Sequence, residues 1–406
     1  MGPDRQEKRE SGQSETRRIE LPAHFSKRRI VLAVVLLVLG ATALGYGMNA
    51  LLSRSSGWTE IEVSPGAAEN SGGDLTFQYL LGADATAVYR RLTELYTEAA
   101  ERTYAVYHAG KAFSGVQNVY TVNANVNRAV AVEPELYAAF EAMERSGQRY
   151  LYLAPVYDRY EGMFRSGSDE EARAFDPFRD PETAALVADA LPYVNDPESV
   201  SLELLGDGRV CLHMSEDYLR FAEENGIDCF IDFYWMKNAF VVDQIAGVLR
   251  EQGFTRGYLT SADGFGCCLD GSGEGYSIDL YAREGATVRQ AGVLDYTGPL
   301  SMVVLRDYPM STGIGDYYFE TADGGIRTAY IDPADGRCKS AAPELLSCAG
   351  DRGCAEILLR VAPLLIADAF DPGAVDALTD DGIWSAYQRD GETYFNGESE
   401  QLHLRS

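Results

Sequence analysis

The spacing of apolar residues divides the chain into helices and strands, and the longest helix is predicted directly after Asp84. Asp84 is a suitable N-cap residue, and apolar positions recur every three or four residues from there to Tyr107. The predicted buried face of this helix consists of Val88, Leu92, Leu95, Ala99 and Val106. A second helix is predicted between Pro134, a residue favoured in the first helical turn, and Gly147, a residue favoured just past the last.

Two further helices follow from the same periodicity. The stretch "DFYWMKNAFVVDQIAGVLREQG" leads into a helix with Val242, Ile245 and Leu249 facing inward and with Gly253 at its end. Residues 355–367 are predicted to form a last helix that is broken at Pro363, because proline lacks the N–H that continues a helix.

Between the helices, short apolar runs bounded by turn residues predict strands. They are predicted at 75–81, 209–213, 254–260 and 300–308, with a closing hairpin over 383–396. Residues 267–333 alternate strands and tight turns in the manner of consecutive hairpins. Helices and mainly antiparallel strands are thus mixed along one domain, which predicts an α+β fold with mixed, mostly antiparallel sheets and packed helices.

The N-terminal region predicts a membrane anchor. Residues 30–48 are 19 residues without a charge, about the length that crosses a bilayer as a helix, and three basic residues precede them. The predicted organisation is therefore a cytoplasmic tail (1–29), a transmembrane helix (30–52), a linker rich in Gly, Ser, Glu and Asn (53–74) and an extracytoplasmic domain (75–406). A cleaved signal peptide is the alternative, because the small residues at 41–43 fit a cleavage site.

Charge excludes one class of partner. The chain has 406 residues and a formal net charge of −27. Residues 1–52 hold eight of the 35 Lys and Arg residues and five of the 62 acidic residues, so residues 53–406 carry a formal net charge of −30. Such a domain repels polyanions. We therefore expect no nucleic-acid partner.

The seven cysteines leave two alternatives open. They lie at positions 211, 229, 267, 268, 338, 348 and 354, with no C-x-x-C or zinc-ligand spacing. Cys338, Cys348 and Cys354 are near enough in sequence for one local disulfide. The other alternative is that all seven are free thiols.

One stretch near the C-terminal third carries the most distinctive pattern. Residues 310–338 read "MSTGIGDYYFETADGGIRTAYIDPADGRC", in which two extended runs flank "ADGG" and the second run delivers Asp332 to a tight Asp-Pro turn. Alone, this pattern indicates turn chemistry.

Together with four other segments, this stretch resembles one family, the FAD:protein FMN transferases (ApbE-like flavin transferases). The stretch is similar to the family's "STSGDYE…HHIIDPRTG". Upstream, "NANVNRAVAVEPELYAAFEAM" matches a family segment with an Asn before a helix, and "DFYWMKNAFVVDQIAG" resembles "DLGGIAKGYAVD". "YLAPVYDRYEGMF" lies where the family has "GAFDPTVGPL" and matches poorly, and "GCAEILLRV" lies where the family has "ADALATA". The resemblance runs from about residue 75 to about residue 395.

The resemblance implies an activity, a cofactor set and a partner. Family members are membrane-tethered outside the cytoplasm, cleave FAD with the help of a divalent metal such as Mg²⁺, and attach FMN to a Thr or Ser of an acceptor protein. It also implies a set of nucleotide-binding positions. They are Asn123, Asn238, Ser311, Thr312, Asp316, Asp332 and Arg360. Glu356 stands where the family has a metal-binding Asp.

Several family residues are replaced in this chain. The second metal-binding position, a Thr in the family, is Arg360, whose guanidinium has no lone pair to offer a metal. Arg360 is expected either to form an i,i+4 ion pair with Glu356 or to bind phosphate oxygens in place of the ion. Asn238 stands at the family Lys, Tyr234 and Trp235 replace glycines, and Ala329 lies where the family has a His pair.

The replaced family residues indicate that the chain differs in function from an active family member. We expect a single-pass membrane protein with an extracytoplasmic domain that binds FAD or another flavin nucleotide, with metal-dependent transfer impaired. One alternative is an active Mg²⁺-dependent transferase acting on a membrane or surface acceptor protein. The other is a non-catalytic surface interaction protein on the same fold.

Overall fold

The computed structural model of the protein describes residues 56–67, 74–284, 287–309, 317–389, 392–397 and 401–405. All of them belong to one compact unit, Ser55–Ser406. The predicted cytoplasmic tail and membrane helix lie outside the described residues. Within the described part of the chain, no helix combines the length and the apolar character needed to cross a membrane.

Ten α-helices are present in the described residues. They are α1 (Ala85–Tyr107), α2 (Val119–Asn123), α3 (Pro134–Ser146), α4 (Ala154–Phe164), α5 (Asp169–Ala172), α6 (Pro181–Asn195), α7 (Glu216–Asn225), α8 (Lys237–Glu251), α9 (Cys354–Leu365) and α10 (Pro372–Ala377). Short 3-10 helices occupy Tyr150–Leu153, Arg173–Phe175, Tyr234–Met236 and Leu378–Asp381.

Eight strands form the main sheet, and every neighbouring pair in it is antiparallel. In spatial order they are β1 (Gly57–Glu60), β2 (Leu75–Leu81), β6 (Gly257–Ser261), β7 (Phe265–Cys268), β10 (Leu300–Arg306), β13 (Glu344–Ala349), β14 (Trp384–Arg389) and β15 (Glu392–Phe395).

Three smaller antiparallel sheets flank the main one. Their strands are β3 (Ala129–Ala131), β4 (Val200–Gly206) and β5 (Arg209–Met214); β8 (Gly275–Glu284), β9 (Thr287–Thr297) and β16 (Leu402–Arg405); and β11 (Tyr318–Glu320) with β12 (Ile326–Thr328). The predicted α+β class, with mostly antiparallel strands, is confirmed.

The main sheet is covered on both faces, which explains the unbroken apolar run in β10. Val303 and Leu305 join the large core formed with the helices, whereas Met302 and Val304 join a second core beneath β8, β9 and β16. Successive side chains of a strand point to opposite faces, so a strand between two cores carries apolar residues on both faces, as Met302–Leu305 do. Helices α8 and α9 lie on the large-core face, where Ile245 is fully buried.

Three expectations need correction. The predicted linker at 53–74 contains β1, which pairs with β2, and Ile61 after it is 1% exposed, so the domain begins earlier than predicted. Helix α9 continues past Pro363 to Leu365, because a proline near the C-terminus removes one hydrogen bond and the amide of Ile366 still donates to Ala362 (2.8 Å). All seven cysteines are free thiols, so the local disulfide is not formed.

Candidate functional site

Helices α8 and α9 meet at Asp243, and this contact organises the first candidate site. The two oxygens of Asp243 accept hydrogen bonds from the backbone amides of Cys354 (2.7 Å) and Ala355 (2.9 Å). These amides belong to the first turn of α9, where N–H groups have no partner within the helix. Asp243 therefore caps α9 from the neighbouring helix, and burial raises the pKa of its carboxyl to about 6.

Gly353 makes the approach of Asp243 geometrically feasible. A Cβ atom at this position would lie 2.4 Å from a carboxylate oxygen of Asp243, well inside van der Waals contact. A glycine before α9 is thus required for the helix terminus to reach the carboxylate.

Glu356 and Arg360 line an open cleft between α3, α8 and α9. The cleft has an empty volume of about 1700 Å³, including space open to solvent, and Asp243 also lines it. The two predicted residues lie one helical turn apart but do not pair with each other. Glu356 forms an ion pair with Arg352, and Arg360 forms one with Asp381 (2.9 Å).

The residues of this cleft do not fit a magnesium ion. Mg²⁺ needs several oxygen ligands in octahedral geometry. Both oxygens of Asp243 are used by backbone amides, Glu356 is paired with an arginine, and Arg360 adds a second positive charge to the same helix face. Among the described residues, no group of three or more His, Cys, Asp or Glu side chains could hold a metal ion.

Asp332 lies elsewhere, in the turn after β12. Its carboxylate accepts a hydrogen bond from the amide of Ala334 (2.8 Å) and forms an ion pair with Lys339 (2.7 Å). Lys339 is also paired with Asp335 (3.0 Å) and Asp368 (2.8 Å). Asp332 therefore stabilises its own turn and does not line the α3–α8–α9 cleft together with Glu356 and Arg360.

Asn123, at the end of α2, is buried and fully engaged with backbone groups. Its side-chain oxygen accepts from the amides of Phe230 (3.0 Å) and Ile231 (3.1 Å), and its nitrogen donates to the carbonyl of Ile231 (2.9 Å). These three bonds fix the segment that leads into the 3-10 helix Tyr234–Met236. Asn123 thus positions this segment and has no side-chain atom left for a ligand.

A second cleft lies at the N-terminal end of α8, where Asn238 is found. The side-chain amide of Asn238 donates to Oδ2 of Asp263 (2.9 Å), which lies in the turn between β6 and β7. Asp263 lines a cleft with an empty volume of about 510 Å³, including space open to solvent. Its other lining residues include Trp235, Arg306, Tyr308 and Tyr330. We refer to it as the aromatic cleft.

The remaining predicted site residues cannot be placed. Ser311, Thr312 and Asp316 lie outside the described residues. Their described neighbours Pro309 and Tyr317 both line the aromatic cleft.

Three residues of these sites were missed by sequence reasoning. Asp243 is a carboxylate on the same helix as the predicted inward-facing Val242 and Ile245, a signal that it needs buried partners. Asp263 lies in "ADGFG", which has the sequence of an ordinary turn and gave no sign of a binding residue. Arg306 follows the apolar run of β10, and nothing in the sequence indicates which cleft it faces.

Comparison with solved structures finds proteins of the same fold. The ApbE protein of Thermotoga maritima matches with a TM-score of 0.58 and 13% identity, over 84% of this chain and 97% of that chain. The flavin transferase ApbE of Vibrio cholerae matches with a TM-score of 0.53 and 12% identity, over 84% and 97%. The sequence matches no family profile and no curated protein. The chain therefore has an ApbE-like fold, as the resemblance implied.

Proposed function

We propose that this protein is a membrane-anchored, extracytoplasmic flavin-nucleotide-binding protein on the flavin transferase fold, without Mg²⁺-dependent FMN transfer. One observation carries the proposal. Asp243, a partly buried carboxylate of the α3–α8–α9 cleft, is committed to the first turn of α9 through two hydrogen bonds of 2.7 and 2.9 Å. A metal ion that took these oxygens would leave two helix N–H groups without partners.

Electrostatics in the same cleft also oppose a metal ion. Arg352, just before the start of α9, and Arg360, one turn after Glu356 on α9, lie four residues on either side of Glu356 in the sequence. A divalent cation at Glu356 would have to displace the Arg352 ion pair and would be repelled by Arg360. Phosphoryl transfer relies on charge neutralisation at the phosphates, so the step that needs the metal is the step this chain has lost.

Retention of a nucleotide site is supported by the aromatic cleft. Trp235, Tyr308 and Tyr330 offer ring surfaces, and Arg306 offers a positive charge, in a domain that is otherwise strongly acidic. Clefts with apolar walls and a few polar groups are the usual form of a small-molecule site. A solved structure with the same fold is a flavin transferase, which makes a flavin nucleotide the first ligand to test.

The test is FAD binding by the full-length protein in detergent, with Mg²⁺ and with EDTA. We expect quenching of flavin fluorescence to the same extent in both buffers, and FAD to remain intact. Incubation with a threonine-containing acceptor protein should give no mass increase of one FMN. Magnesium-dependent attachment of FMN would instead identify an active transferase, and the absence of any flavin binding would favour a surface interaction protein.

A further inference from the structure

The two carboxylate oxygens of Asp263 differ in their surroundings. Oδ2 accepts the hydrogen bond from Asn238, whereas Oδ1 is buried and accepts no hydrogen bond from the described residues. Burial raises the pKa of Asp263 to about 6, and the nearby Ser261 opposes this only in part. The hydroxyl of Ser261 donates to the carbonyl of Phe265 (3.3 Å). A buried acceptor without a donor is costly, so Oδ1 is a position at which a ligand donor would be stabilising.

The turn that carries Asp263 is held rigidly. Gly264 has φ +104°, and a Cβ atom there would lie 2.1 Å from the carbonyl oxygen of Val304 on the neighbouring strand β10. The amide of Val304 donates to the carbonyl of Gly264 (2.7 Å), and the amide of Gly264 donates to the backbone carbonyl of Ser261 (3.2 Å). Asp263 therefore reaches the aromatic cleft from a fixed backbone, which favours a specific role over an accidental one.

The walls of the aromatic cleft have their polar atoms already engaged. The indole N–H of Trp235 donates to the hydroxyl of Tyr157 (3.3 Å), and the hydroxyl of Tyr330 accepts from the backbone amide of Arg306 (3.2 Å). The hydroxyl of Tyr308 is bound to the buried carboxyl of Glu344. The rings of Trp235 and Tyr330 meet edge to face with centroids 5.1 Å apart. These side chains thus offer mainly ring surface to a ligand.

Arg306 supplies the complementary charge. It is half-buried at the end of β10, and its guanidinium forms no ion pair within the described part of the chain. A partly buried guanidinium that forms no ion pair favours an anionic group, and phosphate fits its planar set of donors.

We propose that Asp263 accepts a hydrogen bond from an N–H group of a planar heteroaromatic ligand held in the aromatic cleft, and that Arg306 binds an anionic group of the same ligand. The inference rests on the proposed function and specifies how the nucleotide is recognised. FAD carries two such donors, the imide N3–H of its flavin ring and the exocyclic amino group of its adenine ring. Asp263 and Arg306 could recognise either ring in the same way. The experiment below therefore determines which of the two rings is bound.

The experiment compares ligands in which the donor is blocked by methylation. The affinity of the full-length protein is measured by calorimetry, in EDTA, for FMN, N3-methyl-FMN, AMP and N6,N6-dimethyl-AMP. A lost hydrogen bond to a charged acceptor lowers affinity by about ten- to a hundredfold. We expect that loss on methylation of one ring only, which identifies the bound ring.

The same affinity measurements on variants of Asp263 test whether this residue is the hydrogen-bond acceptor. In Asp263→Ala and Asp263→Asn the loss on methylation should shrink to less than about threefold, whereas the exposed-site control Asp380→Asn should behave as the unmodified protein. Binding that ignores methylation in the unmodified protein would overturn this inference and leave the proposed function standing. Failure of all four ligands and of FAD to bind would overturn both.

Discussion

The guanidinium of Arg360 lies 2.9 Å from the carboxylate of Asp381. Asp381 belongs to the 3-10 helix that follows α10, so the arginine at the second candidate metal position is directed away from Glu356. Glu356 in turn pairs with Arg352, which lies just before the start of α9. The i,i+4 pair between Glu356 and Arg360, one of two alternatives drawn from the sequence, is therefore not formed.

This arrangement predicts weak magnesium binding. The unmodified protein should show no calorimetric Mg²⁺ binding below millimolar concentrations, and the double change Glu356→Asp with Arg360→Thr should strengthen it by about tenfold at low ionic strength. The gain is modest because the Arg360 side chain is half exposed and its charge is screened. Arg220→Thr, at an exposed position on α7, is the control. Micromolar Mg²⁺ binding by the unmodified protein would contradict the prediction.

Removal of the Asp243 carboxylate should destabilise the domain. Asp243→Ala leaves two amides of the α9 terminus without acceptors in a buried setting, so we expect the free energy of unfolding in urea to fall by about 2–3 kcal/mol. Asp371→Ala is the matched control, since Asp371 also caps a helix, α10, but from an exposed position. Asp371→Ala should lower the free energy of unfolding by about 1 kcal/mol. An equal decrease in the free energy of unfolding in the two variants would show that the Asp243 cap contributes no more stability than an exposed helix cap.

Asn123 should act on stability through backbone bonds. Asn123→Ala removes the acceptor of two amides and a donor to one carbonyl, for an expected loss of about 2–4 kcal/mol in the free energy of unfolding. Asn225→Ala removes one exposed bond to the carbonyl of Phe221 and should change stability by less than about 0.5 kcal/mol. A variant of Asn123 that unfolds like the unmodified protein but no longer binds FAD would instead support the ligand role implied by the family resemblance.

Stability should rise on mild acidification. Burial raises the pKa of Asp232, Asp243, Asp263 and Asp307 to about 6 from the ordinary value of 3.8. A carboxyl with a raised pKa in the folded state contributes stability that is fully present below 3.8 and is lost as the pH rises through about 6. Carboxyls with a lowered pKa, such as Asp295 at about 2, lose their contribution only as the pH falls below 3.8.

The measurement is the free energy of unfolding at pH 8 and at pH 5. We expect it to be higher at pH 5 by roughly 2–4 kcal/mol, and the increase to be smaller in Asp263→Asn. Equal stability at the two pH values, or lower stability at pH 5, would show that these carboxyls are not held in the protonated form by burial.

The helices with strong apolar periodicity were predicted almost to the residue. Helix α3 runs from Pro134 to Ser146 and ends at Gly147, which has φ +68°, as the Pro and Gly signals indicated. Helix α1 was predicted equally well, although Asp84 makes no side-chain capping bond. Such helices are visible in the sequence because their buried face is determined by a local repeat.

Elements defined by distant partners were not visible. Strand β1 lies in a stretch rich in Gly and Ser and is a strand because it pairs with β2 at the edge of the main sheet. Helices α4, α6 and α7 were not predicted. Burial of tyrosines is part of the reason for α4, since Tyr157 and Tyr160 are almost fully buried there, and tyrosine is a weak periodic signal compared with Leu or Val.

The sequence predicted which positions belong to the candidate site, but not which partners their side chains bind. The family resemblance led to Glu356, Arg360 and Asn238, and all three line or adjoin a cleft. Their partners Arg352, Asp381 and Asp263 could not be predicted, because Asp381 and Asp263 come from other elements and the pairing of charges depends on side-chain geometry. The same holds for Asp243, whose role depends on the distance between two helices.

The seven free thiols bear on how the domain reaches its native state. Five of them are buried, and Cys229 and Cys338 are only partly so. No covalent cross-link contributes to the fold, so renaturation should proceed with equal yield in dithiothreitol and in air-equilibrated buffer. The chain is thereby independent of thiol oxidases and disulfide isomerases on whichever side of a membrane it folds, and recombinant expression in a reducing host should give the same native state.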